Sequence, residues 1–530
     1  MNRCKNTSLL SRHCVPIMLW LLLMAWASVA DAQYFSKRYP LYAQSNGYIS
    51  SIQIADDTIY AMCYVGDSAI PSYLIASFDR FDKYGNCLSK TPFSIPNRTN
   101  IDVSFNTLIR TNDGGFAYGG NTQGSSQTQN AIIIIKYDRH GNFQWYKEIP
   151  DSNYSSFYCT GIIQDSLSNY FLAGSYSYIN NQDVHIYLAK TDSLGNLIYK
   201  KEFLHPNFWN SVSGIAFNKK GHLVLGGDAL SYNSIDLSTA KSYMEIYELD
   251  SAGNQLNYIL STDTNGPSAS NMIVCEDGGY LVANSYYCYR STNELKWFGC
   301  IAKLDSNFHE LWRIDNGPCS QFTQFYTHTK CPDGNYIAVG EWHEEDTLTN
   351  HINGWIVKYS ESGQIIWNRQ YREETSYTTN GDENVLATIG FLSDGSIMCA
   401  SEAFNYDDTT RPAQMGWLLH LDTAGCLPDS NSCGIVNGVA DIAQASGSVR
   451  AYPNPASGQI VIEVVLGEPS GYRLYISDLL GQPVAERTVV KQSAPQTIDV
   501  SGWQSGLYFY RVVSASGFER TGRFVVNGGQ

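Results

Sequence analysis

Charge is scarce in this chain. Lysine, arginine, aspartate and glutamate together make only 16% of 530 residues, and the acids prevail, leaving a formal charge of −15. No basic stripe reverses that balance locally, which argues against nucleic acid as a partner. Beyond Ala27 there is no apolar run of the roughly twenty residues that a membrane helix needs, so no transmembrane segment is expected in the processed chain. Cys-x-x-Cys pairs and His/Cys zinc spacings are missing, as are a P-loop, HExxH, EF-hand loops and a nucleophile elbow. What abounds is tyrosine, 37 in all, within a composition that is 43% hydrophobic. Low charge with many aromatics suits a folded, β-rich, exported protein and not a disordered one.

The first 32 residues have the layout of a signal peptide. Arg3, Lys5 and Arg12 precede the apolar stretch Ile17–Ala27, and Ala30 and Ala32 flank Asp31 as small residues at a cleavage site, placing Gln33 first. A retained anchor is the competing reading. Of 13 cysteines, Cys4 and Cys14 leave with that segment, and the remainder is odd, so at least one thiol is unpaired or pairs between chains. Cys426 and Cys433, close together in CLPDSNSC, are the expected disulfide. Cys63 and Cys399 stand in apolar runs and are expected as buried small hydrophobes.

Two phrases alternate through the middle of the chain. One is a hairpin with an Asp-Gly or Lys-Gly turn, as in TLIRTNDGGFAYGG (107–120), GIAFNKKGHLVLGG (214–227) and NMIVCEDGGYLVAN (271–284). The other is a strand, a D-x-x-G turn and a strand bearing an aromatic, as in IIIIKYDRHGNFQW (132–145). Its fourth turn position falls at Gly85, Gly141, Gly195, Gly253, Phe308, Gly363 and Gly425, at spacings of 56, 54, 58, 55, 55 and 62 residues. At Phe308 the preceding Asn307 is expected to take the left-handed conformation. Two hairpins per period, seven times over, predict an all-β chain with a seven-bladed β-propeller over residues 33–427. A linear solenoid is the alternative, but it calls for atypical capping repeats. The last period lacks a fourth strand, and Tyr34–Tyr39 has the pattern to supply it and close the ring. Trp145, Tyr199, Trp312 and Trp367, seven residues past the start of their turns, are expected to pack between blades.

Residues 428–448 read as a linker, and 449–530 alternate polar and apolar residues as a small Ig-like β-sandwich. Four motifs stand there in order: YPNPASG (452–458), LYISDLLGQPV (474–484), GLYFYRV (506–512) and RTGRFVV (520–526). With them the segment resembles the type IX secretion system C-terminal sorting domain, type A. That resemblance implies export across an outer membrane, the secretion machinery and a sortase as partners, and a product that is anchored to lipopolysaccharide or released. It also implies a recognition set of Gly506, Tyr508, Gly522 and Arg523. The D-x-x-G-x-x-x-W phrase is in turn similar to the tryptophan-docking repeat of quinoprotein dehydrogenases, but the adjacent cysteine pair of that family is absent.

Connections between second and third strands are the long and variable ones, and loops on a rigid frame are where binding concentrates. Tyr176, Tyr178, Tyr286, Tyr287, Tyr289 and Trp342 are candidates for a platform that stacks against a sugar or peptide. Packing at blade edges is the plain alternative. Glu341, His343 and Asp346 offer ligands for a divalent cation, against the plain reading of a solvated acidic loop. No other cofactor is expected. Three functions fit: a binding or adhesion module for glycan or protein, a polysaccharide hydrolase or lyase using carboxylates of that face, and a structural surface component.

Overall fold

A computed structural model of the chain describes residues 34–41, 46–66, 74–124, 130–150, 154–178, 184–203, 208–233, 236–261, 271–289, 295–315, 322–345, 350–373, 382–405, 412–427, 447–466, 472–479, 482–489, 495–514 and 519–527. The expected signal segment, and residues 428–446 of the expected linker, lie outside these. The chain divides into two compact bodies, Met1–Gly438 and Val439–Gln530. The described residues are all strand, turn and coil, with no helix.

In the first body the strands fall into antiparallel units of four. Unit three is the plainest: Tyr154–Gln164, Tyr170–Tyr178, Val184–Thr191 and Leu197–Phe203 pair in that order. Unit four (Phe208–Leu260) and unit five (Ile273–Asp315) repeat it. Unit one begins at Gly47–Ala55 and ends in two short pieces, Cys87–Ser89 and Pro92–Phe93. Unit two has a divided first strand, Arg98–Asp102 and Leu108–Arg110, and ends with Phe143–Pro150. Short parallel bridges tie unit one to unit two and unit six (Thr323–Tyr371) to unit seven. Unit seven has Asp382–Phe391, Ile397–Asn405 and Gln414–Leu421, and its fourth strand is Phe35–Tyr39 from the other end of the body.

The four consecutive isoleucines explain why the units cannot stand alone. All of Ile132–Ile135 are 0% exposed. Successive side chains on a strand point to opposite faces. Thus Ile132 and Ile134 pack with Phe157 and Leu172 of unit three, while Ile133 and Ile135 pack with Tyr60 and Phe78 of unit one. Each buried isoleucine is worth about 1.5–3 kcal/mol, which neither face gains in water. The same rule gives a cluster at every junction of successive units, and one more joins Phe35, Met398 and Leu418 of unit seven to Ile49 and Ile59 of unit one. The sheets therefore follow one another around a circuit that returns to its start, a β-propeller-like arrangement.

The D-x-x-G turns that follow the third strands share one chemistry. Asp138 Oδ1 accepts the amides of His140 and Asn142, each at 2.8 Å, and its Oδ2 accepts the Asn142 side-chain amide at 2.9 Å. Asp82, Asp192 and Asp250 do the same with Asn86, Asn196 and Asn254. The fourth position has a positive φ, +79° at Gly195, where a Cβ is strained. It is also covered from the preceding unit. A Cβ on Gly195 would meet the Trp145 ring at 2.6 Å, one on Gly363 Trp312 at 3.0 Å, and one on Gly425 Trp367 at 2.9 Å. In unit five Phe308 itself takes φ 68°, so the expectation for Asn307 is corrected. Its ring is buried and stacks on Tyr280 at 4.7 Å between centroids, which offsets the strain.

Closure uses the same joint. Phe35–Tyr39 pairs antiparallel with Gly416–His420, and a Cβ on Gly85 of unit one would lie 2.5 Å from the Phe35 ring. Trp417 Nε1 donates to Ser36 Oγ at 2.9 Å, and Lys90 Nζ of unit one donates to the Leu41 carbonyl at 3.1 Å. Cys426, just past unit seven, is disulfide-bonded. Cys433, its expected partner, lies outside the described residues. Cys63 and Cys399 are buried free thiols.

The second body holds two sheets over one core. Gly447–Tyr452, Gln459–Leu466 and Gln496–Asp499 form one sheet; Pro483–Val489, Tyr472–Ser477, Gly506–Ser514 and Glu519–Val526 form the other. Ile460, Ile462 and Ile498 meet Leu474, Val512 and Phe524 between them.

Candidate functional site

The first strands converge at the middle of the circuit. Five of them carry a bulge at an equivalent place, where Ser50, Thr160, Ser213, Tyr326 and Ala387 drop out of the strand register. Asn106 and Asn271 fill the corresponding place in units two and five, each at positive φ. The Asn106 side-chain amide donates across the middle to the carbonyls of Tyr326, at 3.3 Å, and Ala387, at 2.9 Å. Tyr326 is the one large side chain among these seven. Its ring lies 5.2 Å from Phe105, which lies 5.4 Å from Tyr48, which stacks on Tyr64 at 4.8 Å. All four rings are half-buried.

Carboxylates surround this aromatic chain. Glu341, Glu383 and Glu402 all act on Tyr326, whose hydroxyl bonds Glu341 and is driven to a much higher pKa by burial and by these charges. Burial, against a hydrogen bond from Gln414, and then repulsion from Glu383 and Glu341 raise Glu402 to about 7. Asp102 is also raised by burial, although Asn121 donates to it at 3.2 Å. Tyr64 is pushed up to about 12 by burial and by Asp102. Every one of these acids belongs to the end of its unit where the second strand hands over to the third.

The candidate residues read from sequence fare unevenly. Tyr176 offers no platform: it is 2% exposed, packs with Phe157 and Tyr187, and donates to Glu202 at 3.0 Å. Trp342 is half-buried edge-on against Trp355, with centroids 5.3 Å apart, so much of its ring is already covered. Tyr178, Tyr286, Tyr287 and Tyr289 belong to strands and not to loops, because pairing runs on to Tyr289↔Leu295; their side chains lie outside the described residues. The expected long connections are thus mostly extended hairpins, as Glu345↔Asn350 and Asn233↔Asp236 also show. Glu341 is buried and its Oε1 lies 3.4 Å from His343 Nε2; Asp346 lies outside the described residues. Sequence reading missed Tyr48, Tyr64, Phe105 and Tyr326. The one available signal was a polar or small residue recurring before Ser/Thr/Gly and an aliphatic, as in SSI, NTL, TGI and SGI.

Among the described residues, Cys275, Asp277 and Glu361 have the spacing of metal ligands, within 4.8 Å of one another. Lys303 Nζ stands there, 3.1 Å from Asp277 and 2.8 Å from Glu361, so a resident ammonium neutralises the two acids.

In the second body, Tyr508 is 7% exposed, donates its hydroxyl to the Gln504 carbonyl at 2.9 Å and packs against Trp503 and Phe524. A Cβ on Gly522 would fall 2.2 Å from the Tyr510 ring. These two residues of the expected recognition set therefore hold the core together. Arg523 is exposed, and a Cβ on Gly506 would meet nothing within 4 Å, so these two face solvent. Residues 450–527 match the family model of the secretion system C-terminal sorting domain, Por_Secre_tail. The tail is a type IX sorting domain. The protein that carries it is exported across the outer membrane, to the cell surface or beyond, and the secretion machinery is its partner. No helix among the described residues is long and apolar enough to cross a membrane.

No curated protein matches the chain. Among solved structures it is similar to PorZ, a surface component of the type IX secretion system of Porphyromonas gingivalis, at 13% identity and TM-score 0.27, covering 90% of this chain and 75% of that one. It is similar to the polysaccharide lyase Uly1 at 9% identity and TM-score 0.43, covering 71% and 90%. The β-propeller domain of the Trilobed protease from Pyrococcus furiosus gives 10% identity and TM-score 0.39, covering 74% and 100%. At these scores no activity passes from those proteins to this one.

Proposed function

We propose that the first body is a seven-bladed β-propeller and the second a small Ig-like β-sandwich, and that export delivers the propeller as a non-enzymatic binding or adhesion module for a glycan or protein. The chain of half-buried rings from Tyr64 through Tyr48 and Phe105 to Tyr326, rimmed by carboxylates, carries this reading. Flat amphipathic rings on a rigid frame bury ligand area at small entropic cost. Full-length protein on glycan and protein arrays tests it: retention of a ligand that Tyr48→Ala with Tyr64→Ala abolishes is expected. Retention that this double variant leaves intact contradicts the site.

Glu402 supports a second reading, as a polysaccharide hydrolase or lyase. A carboxyl raised to about 7 beside two further glutamates has the protonation state that general acid catalysis uses at neutral pH. New reducing ends or unsaturated ends from an anionic or neutral polysaccharide, lost in Glu402→Gln, would favour it over simple binding. A divalent cation held by Glu341, His343 and Asp346 is proposed as well, and calcium titration of His343→Ala against the parent tests it. Sortase removal of the tail and attachment to lipopolysaccharide are proposed from the sorting domain, and the mass of the surface form decides between anchoring and release.

A further inference from the structure

Junctions two–three and five–six are built from the same parts. Lys136 of unit two pairs with Asp113 at 2.9 Å, as Lys303 of unit five pairs with Asp277 at 3.1 Å. Trp145 lies under the turn of unit three as Trp312 lies under that of unit six. Tyr170 and Tyr336 hold the same place at the start of the second strand. Among the positions that differ, Thr111 for Cys275 and Gln144 for Leu311 included, one changes the charge beside the lysine. The residue after the start of the turn is Glu361 in unit six and Ser193 in unit three. Glu361 reaches back to Lys303 at 2.8 Å and accepts the Tyr336 hydroxyl at 3.3 Å, so its carboxylate stands beside the ammonium at that junction. Ser193 has no carboxylate to send, and a cleft of 560 Å³ lies there, lined among others by Lys136, Asp113, Trp145, Tyr170, Gln144 and Ser193.

The volume lies within the range of small-ligand sites. Its chemistry is specific. Lys136 is held by the Asp113 carboxylate and the neutral Tyr137 carbonyl, at 2.9 Å, where its twin holds two carboxylates, beside an indole set edge-on to Tyr170 at 6.2 Å and next to amide and hydroxyl side chains. An indole takes the C–H face of a sugar, amides and hydroxyls take its hydroxyl groups, and an ammonium takes an anion. We propose that the cleft between units two and three binds a saccharide bearing a carboxylate, a uronic acid unit, whose anion takes beside Lys136 the place that Glu361 holds beside Lys303. The cleft is at the opposite end of the strands from the Tyr48–Tyr326 rings, so the two sites fail independently.

The test is calorimetric titration of the full chain with trigalacturonate and, separately, with neutral galactotriose. The parent is expected to take up one equivalent of the acidic trisaccharide and to bind the neutral one at least about tenfold more weakly, the loss of one charge-assisted contact. Ser193→Glu, which places the anion within the chain, is expected to abolish uptake while keeping the melting temperature. Glu361→Ser is expected to create a second equivalent. No uptake by the parent, equal uptake of both sugars, or uptake unchanged in Ser193→Glu overturns the proposal. So does a polyglutamate peptide that displaces the saccharide at equal concentration.

Discussion

The two ends of the propeller-like body treat their acids in opposite ways. At the turn end, Asp192 sits in solvent with its pKa lowered by the Asn196 side chain and by backbone amides, and Asp250 and Asp138 have the same surroundings. At the other end, burial raises Glu402 to about 7, and in mid-strand, five residues before Asp250, it raises Glu245 to about 7 as well. Glu245 is 1% exposed; its Oε1 accepts from Tyr247 and Tyr258 at 2.9 and 3.1 Å, while its Oε2 has no partner. Carboxylates at the turns have every hydrogen bond they need and organise the fold. Carboxylates away from the turns keep hydrogen-bond partners but lose water, and burial raises them. Acids that organise turns and acids that burial keeps protonated thus stand at different places along the same strands.

That division is broken most severely by removing the joint that closes the circuit. Deleting residues 34–41 strips the fourth strand from unit seven and uncovers the edge of Gln414–Leu421, and a loss above about 5 kcal/mol with self-association is expected. Thermal unfolding and size-exclusion chromatography check it. Next comes Trp367→Ala, which empties a 4%-exposed place between units six and seven and uncovers Gly425; about 3–5 kcal/mol should be lost in denaturant titration.

The pH dependence sharpens the contrast. For the turn aspartates the folded pKa is depressed, so their stabilisation holds above the ordinary carboxyl value and fades as pH falls through the lower one. For Glu245 the folded pKa is raised from 4.5 to about 7, so its stabilisation is complete below 4.5 and is lost as pH rises towards 7. Stability should therefore be greatest near pH 4.5 and decline by neutrality. Glu245→Gln should flatten that decline by about 2 kcal/mol, read from melting temperatures between pH 4.5 and 7.5. The smallest effect is expected at the rings: Tyr64→Ala should cost about 1 kcal/mol, the worth of one stacked pair, because the middle of the circuit is lined and not built by it.

The two ends also differed in how far they could be read in advance. Asp138-x-x-Gly141-Asn142 makes all its bonds within five residues, so the turn, its glycine and the aromatic seven residues on are visible as a repeated phrase. The closing strand was legible for a related reason, since a missing fourth strand and a spare one carry the same pattern. The rings were not. Tyr48, Phe105 and Tyr326 are brought together from units one, two and six, one residue at a time, from a strand, a turn and a bulge that no shared local pattern of hydrophobicity marks. Tyr176 misled because a tyrosine near a strand end reads as exposed, while here the neighbouring sheet covers it. Tyr508 and Gly522 were assigned to recognition by their place in a motif, yet the motif also encodes the packing of its own core.

Hydrogen–deuterium exchange of the N-terminal peptide spanning residues 34–41 tests closure most directly. If Phe35–Tyr39 is the fourth strand of unit seven, its amides should be protected to the same degree as those of Gln414–Leu421, and both should open together in denaturant. Exchange of that peptide within seconds, while Gln414–Leu421 stays protected, would contradict a circuit fastened by the front of the chain.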